Sequence, residues 1–160
     1  MTAAISPRLS VAALLATRPG QRPRLIYRTH RGRRGGRRKG FTEADYAALL
    51  DAAHSQLGGP LVLVWDNLNT HVSAAMTELV TARPWLTVYR LPPYAHELNP
   101  VERVWSHLKR SLANLTKHTL GELTALVKTR LRRMQYRPGL LAGFLASTGL
   151  EFGPSCNSRP

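Results

Sequence analysis

Cysteine is nearly absent: a lone Cys156 leaves no thiol for an internal disulfide and excludes any multi-cysteine zinc site. Acidic residues are scarce as well, with nine Asp and Glu against 23 Lys and Arg, a formal charge of +14 and a pI near 11.3. Such a surface attracts phosphate backbones or anionic lipid and repels cationic partners. No run of about 18 apolar residues occurs, so no membrane-spanning helix is expected. The short apolar stretch Val11 to Ala16 behind Arg8 falls below the length of a secretory core, and Thr17-Arg18-Pro19-Gly20 makes a poor cleavage region. No internal repeat is present, which excludes a solenoid.

What remains is enough for one domain. The chain has 160 residues and 43% hydrophobic content, too apolar for a disordered basic tail and long enough to bury a single core. Apolar runs at 9–17 and 24–28 around Pro19-Gly20 predict two strands joined by a tight turn. The segment 29–40, rich in Gly and Arg, predicts a mobile cationic loop. A helix is expected over 41–57, with Thr42 as cap, Asp45 at its third position, Phe41 and Tyr46 as a staple, and Tyr46, Leu49, Leu50, Ala53 and Leu57 buried. Leu61 to Trp65 is apolar at every position, the pattern of a central strand covered on both faces. A helix over 72–83, a strand over 86–91, a helix over 100–114 with Val101, Val104, Trp105, Leu108 and Leu112 inward, and a helix over 120–134 boxed by Thr119 and Glu122 complete the pattern. Pro138-Gly139 precedes a short apolar segment ending near Leu145, and 151–160 reads as a flexible tail. The expectation is an α/β domain, a mixed sheet flanked by helices.

Two carboxylates stand out against this basic background. Asp66 ends the strand that starts at Leu61, and Glu102 opens the helix after Asn99-Pro100. Each has an ordinary explanation: Asp66-Asn67 is common turn chemistry, and Asn99, Pro100 and Glu102 satisfy a capping box. Yet ligand sites in open α/β sheets lie beyond the carboxyl ends of central strands, where Asp66 stands. The intervening segment holds a helix, a strand and a loop, enough to bring the two acids to one point.

Taken together, Asp66-Asn67-Leu68-Asn69-Thr70-His71 and Tyr94-Ala95-His96-Glu97-Leu98-Asn99-Pro100-Val101-Glu102-Arg103-Val104-Trp105 resemble the second and third catalytic blocks of DDE transposases, in the bacterial insertion-sequence branch of the mariner-like superfamily. The resemblance implies an RNase H-like fold in which three carboxylates hold two Mg²⁺ ions, or Mn²⁺, with Asp66 matching the second acid and Glu102 the third. It implies metal-dependent cleavage and joining of DNA, on transposon ends and target. Paired ions about 4 Å apart activate water or a 3′-hydroxyl and stabilise the leaving oxygen, so no side-chain nucleophile is required. Asn67, His71 and Asn99 are candidate supports for the site.

The first acid has no match. Upstream of Asp66 stand only Glu43, Asp45 and Asp51, all in the helix expected over 41–57. The expectation is therefore a partial catalytic domain over 1–150 that lacks its first strand and is inactive alone, with the missing ligand lost or supplied by an upstream transposase polypeptide or a second copy. Arg28, Arg31, Arg33, Arg34, Arg37, Arg38 and Lys39, together with Arg103, Lys109 and Arg110, are the expected grip on DNA phosphates. A cytoplasmic, nucleoid-associated location follows from that reading. The alternative is a basic DNA-binding fragment without chemistry that modulates full-length transposase.

Overall fold

The structure is a computed structural model and describes residues 8–32, 40–68, 71–116 and 119–150. Strands β1 (Arg8–Ala16) and β2 (Arg24–Gly32) pair antiparallel as a hairpin, from Arg8 opposite Gly32 to Ala16 opposite Arg24. The expected turn forms: the Gln21 N–H donates to Arg18 O at 3.0 Å, and Gly20 takes the positive φ (77°) that the reversal needs. One expectation is corrected here. Residues 29 to 32, assigned to the mobile loop, are strand, because Arg8 to Val11 supply backbone partners opposite them and the alternation of the hairpin carries on. The rest of the basic run, 33–39, lies outside the described residues, as does the tail at 151–160.

Helix α1 (Glu43–Leu57) starts as its residues dictate. Thr42 and Asp45 close a reciprocal capping box, and the Phe41 and Tyr46 rings meet at 5.8 Å. Gly58 and Gly59, both at positive φ, turn the chain into β3 (Leu61–Trp65). Ser73 caps α2 (Ala74–Thr81) by accepting the Met76 N–H at 3.1 Å, and the chain returns as β4 (Leu86–Arg90), which pairs parallel with β3. A single 3-10 turn, His96–Leu98, leads to α3 (Val101–Leu112). Helix α4 (Leu120–Gln135) carries the expected Thr119–Glu122 capping box. The apolar segment after Arg137 is a further helix, α5 (Pro138–Ala146), entered through Pro138 in its first turn.

The mixed sheet is built in two halves. The hairpin is one two-stranded sheet, the β3–β4 pair the other, and no ladder joins β1 to β3. The hairpin is covered on both faces. Leu25 packs with Val104, Leu108, Val127, Leu131, Met134 and Leu141 of α3, α4 and α5, while Ala12 and Ile26 face Leu49 and Ala53 of α1. The β3–β4 pair is covered on one face, where Leu63, Trp65 and Leu86 meet Leu50 of α1 and Met76 of α2. This corrects the expectation for β3: Val62 and Val64 are apolar but 70% and 41% exposed.

Candidate active site

Asp66 is the first residue past β3, at its carboxyl end. Its Oδ1 accepts the Leu68 N–H at 3.2 Å, so the ordinary turn role is real. The same oxygen lies 3.0 Å from His71 Nδ1, which is also 3.3 Å from the Asp66 carbonyl. The His71 ring is stacked on Trp65 at 4.2 Å and meets the Tyr46 ring edge-on at 4.9 Å. Two aromatic walls therefore fix the imidazole, and the imidazole fixes the carboxylate, which keeps more than a third of its side-chain surface exposed. His71 Nε2 and Trp65 Nε1 are buried with no hydrogen-bond partner among the described residues. The phenol of Tyr46 titrates above its ordinary range, first because it is buried and then because the Asp66 charge disfavours a second anion.

Glu102 departs from its ordinary role. The cap of α3 is made by Asn99 instead, whose Oδ1 accepts the Val101 N–H at 3.1 Å. The Glu102 N–H donates to Asn99 O at 3.1 Å, and its carboxylate takes no hydrogen bond or ion pair among the described residues. The reciprocal box seen at Thr42–Asp45 and Thr119–Glu122 is thus absent where the sequence pattern also suggests one. Glu102 sits in the first turn of the helix, where a negative charge is favoured, and its carboxylate is left available. Asn67 does structural work: its Nδ2 donates to Leu91 O at 3.0 Å and ties the ends of β3 and β4.

Asp66, His71, Asn99 and Glu102 line one cavity of about 670 Å³, which also runs along β1 and β3. The fold therefore brings the two acids to a shared opening from two different elements. Two carboxylates of hard oxygen fit the protein's share of one Mg²⁺ or Mn²⁺ site, since Mg²⁺ keeps several waters and takes one or two carboxylates plus substrate phosphate. No group of three or more His, Cys, Asp or Glu side chains among the described residues could hold a metal.

The basic residues divide. Arg28 and Arg31 are exposed on β2, and Arg103, Lys109 and Arg110 are exposed on α3, the helix that carries Glu102. Arg33, Arg34, Arg37, Arg38 and Lys39 lie outside the described residues. Sequence reasoning gave Tyr46 to the staple and buried face of α1 and missed its place beside Asp66 and His71, which depends on a tertiary contact. It quoted Tyr94 as part of the third block without foreseeing that the ring is 91% exposed at φ 67° on the loop before α3. The Pro92-Pro93 pair ahead of it was the available signal.

Residues 37–124, just over half the chain, match the family model of the DDE superfamily endonucleases. The chain belongs to the DDE superfamily. Its fold matches solved transposase structures. The catalytic domain of Mos1 transposase, in a structure with raltegravir and Mn, aligns with a TM-score of 0.55 at 13% identity, over 91% of this chain and 84% of that one. The catalytic domain of Mos1 mariner transposase alone aligns with a TM-score of 0.52 at 13% identity, over 92% and 83%. The Mos1 transposase paired-end complex with left transposon end aligns with a TM-score of 0.54 at 13% identity. That match covers 92% of this DDE chain but 55% of the longer protein. The RNase H-like α/β class read from the sequence is the class these structures share. No curated protein sequence matches significantly.

Proposed function

We propose that this chain is part of the catalytic domain of a DNA transposase, acting on transposon ends and target DNA in the cytoplasm at the nucleoid. The observation that carries this reading is the convergence of Asp66 and Glu102 on one cavity in a chain of the DDE superfamily. In it, Asp66 and Glu102 hold a divalent ion, Mg²⁺ or Mn²⁺. The chemistry such an ion supplies is activation of a water or 3′-hydroxyl and charge neutralisation at the leaving oxygen. The chain's own residues do the rest. His71 holds the Asp66 carboxylate in orientation from the wall made by Trp65, an arrangement of the kind that tunes metal ligands from behind. Asn99 fixes the start of α3 and so the position of Glu102. Arg103, Lys109 and Arg110 offer cations on the helix that carries Glu102, and Arg28 and Arg31 extend the basic surface on the hairpin.

With two acids in place, metal affinity is weak and strand cleavage by these 160 residues alone is very low. The test is nicking of transposon-end DNA in Mg²⁺ or Mn²⁺. Metal-dependent nicking abolished by Asp66→Ala and by Glu102→Ala supports the reading, and nicking that survives both substitutions contradicts it. A second reading, a basic DNA-binding polypeptide without chemistry that modulates a full-length transposase, is favoured by the absence of a three-residue metal cluster among the described residues. Salt-sensitive binding to DNA with no nicking under any metal supports that one.

A further inference from the structure

A second opening, of about 480 Å³, lies between the hairpin turn and the junction of α4 with α5, lined by Gln21 to Arg24 on one side and by Gln135, Tyr136 and Pro138 on the other. Its walls are fixed. Arg18 donates to Leu57 O at 3.0 Å and Arg24 to Gln56 O at 2.9 Å, which anchors the turn to the end of α1, while Gln135 Nε2 donates to Leu25 O at 2.7 Å and ties α4 to β2. The end of α1 stands at the entry of β3, and Asp66 follows the far end of that strand, whose five residues span about 17 Å. A molecule seated here is held away from Asp66.

The charge around this opening is of one sign. Residues 8–32 contain six arginines and no acid, and residues 123–150 contain five Lys or Arg and no acid. Some of these cations have ordinary work: Arg18 and Arg24 serve carbonyls at the end of α1, and Arg132 and Arg133 suit the last turn of α4. That explanation does not reach Arg22, on a turn, or Arg137, beyond the helix. Both are exposed and make no hydrogen bond or ion pair among the described residues. Tyr136 is 73% exposed, with the Arg132 guanidinium 6.0 Å from its ring centre and its hydroxyl without a partner among the described residues.

We propose that this opening grips the phosphate backbone of a DNA duplex other than the one at the two acids, so that one chain holds two duplexes. Arg22, Arg132 and Arg137 supply the cations and the Tyr136 hydroxyl a donor, groups that position DNA through its phosphates without reading its bases. The duplex held here is positioned and not cut. The choice of DNA as the polyanion rests on the function proposed above, whereas the site itself rests on the opening and its unopposed charge.

The experiment is native mass spectrometry of the purified protein with a short DNA duplex, paired with phenylglyoxal labelling of its arginines. The expected result is two duplexes per chain, with slowed labelling of Arg22, Arg132 and Arg137 when duplex is present. Arg22→Gln combined with Arg132→Gln leaves one duplex per chain, and so does Arg103→Gln combined with Lys109→Gln. Arg22→Gln alone lowers the salt slope of the second binding step by about 1, the share of one phosphate contact. All four positions are exposed, so thermal unfolding of each variant stays close to the parent. One duplex per chain, lost with Arg103 and Lys109 and indifferent to Arg22 and Arg132, overturns the proposal and leaves the function proposed above standing. The reverse pattern keeps this site and refutes the placement of DNA beside the acids. No duplex bound by the parent refutes both. Protection of these arginines by vesicles of anionic lipid or by single-stranded DNA, with none by duplex, also overturns the proposal.

Discussion

The hairpin β1–β2 is sandwiched between α1 and the α3–α4–α5 layer, whereas β3–β4 is covered by α1 and α2 on one face and open on the other. One acid belongs to each arrangement: Glu102 stands on a helix packed over the closed half, and Asp66 at the tip of the open half. The lesson is that the site is an alignment between two packing units, so its geometry depends on what holds the units together as much as on either acid. The edges of β1 and β3, without a ladder partner among the described residues, are the weak part of that connection.

The comparison breaks most severely in the closed half. Leu131, with no exposed surface, lies at the centre of that core, and Leu131→Ala should cost about 2–5 kcal/mol by denaturant unfolding. A cost under about 1 kcal/mol, far below the range for large-to-small core substitutions, would mean that the α3–α4–α5 packing is not as described. At the junction, His71→Ala releases the Asp66 carboxylate and should weaken Mn²⁺ binding about 10- to 100-fold, as loss of a supporting contact does. His71→Asn, which keeps a donor, should recover part of it.

The cap chemistry sharpens the contrast between acids that build the fold and acids that do not. Thr119→Ala removes a side chain that accepts the Glu122 N–H and should cost about 1 kcal/mol. Glu102→Gln should cost at most about 0.3–1 kcal/mol, the interaction of a first-turn charge with the helix dipole, because no hydrogen bond or ion pair among the described residues depends on that carboxylate. On the open face, Val62→Thr should fall within about 0.5 kcal/mol of the parent, as exposed positions do.

Acid titration separates the halves more gently. His107, between α3 and α5, has its pKa held below the usual 6.5, first by burial and then by Arg110 and Arg137. Its folded state favours the neutral ring, so the stability it contributes is complete above pH 6.5 and is lost as pH falls through the lower folded value. Asp51, on α1, is held below 3.8, first by the hydrogen bonds from Arg83. Its contribution is complete above pH 3.8 and disappears only below that. Unfolding followed against pH should therefore show His107→Phe flattening the upper step and Asp51→Asn the lower one.

Much of this was legible before any coordinates. Thr42 with Asp45 and Thr119 with Glu122 marked two helix starts because a capping box is a local pattern that local chemistry satisfies. The same local pattern misled at Asn99 and Glu102, where Asn99 alone caps and the glutamate is left over. The resemblance had already assigned Glu102 as the third acid, and what the local pattern hid is only that its carboxylate makes no capping bond among the described residues. The run of β2 beyond Arg28, from Thr29 to Gly32, was hidden by the charge of the segment, since strand pairing depends on what lies opposite. The open face of β3 was out of reach for the same reason: the apolar run at 61–65 reports what would suit a covered strand and is silent on whether a cover is present. The Trp65–His71–Tyr46 stack joins three elements and has no sequence period to announce it.

The central claim is that Asp66 and Glu102 act as one unit on a divalent ion. Mn²⁺ titration followed by electron paramagnetic resonance on the parent, Asp66→Asn, Glu102→Gln and the double variant tests it without requiring activity. The account predicts that either single substitution removes the same bound ion and that the double variant loses nothing further, the non-additivity of groups sharing one ligand. Parent-like binding in both single variants, or losses that simply add in the double, would contradict it.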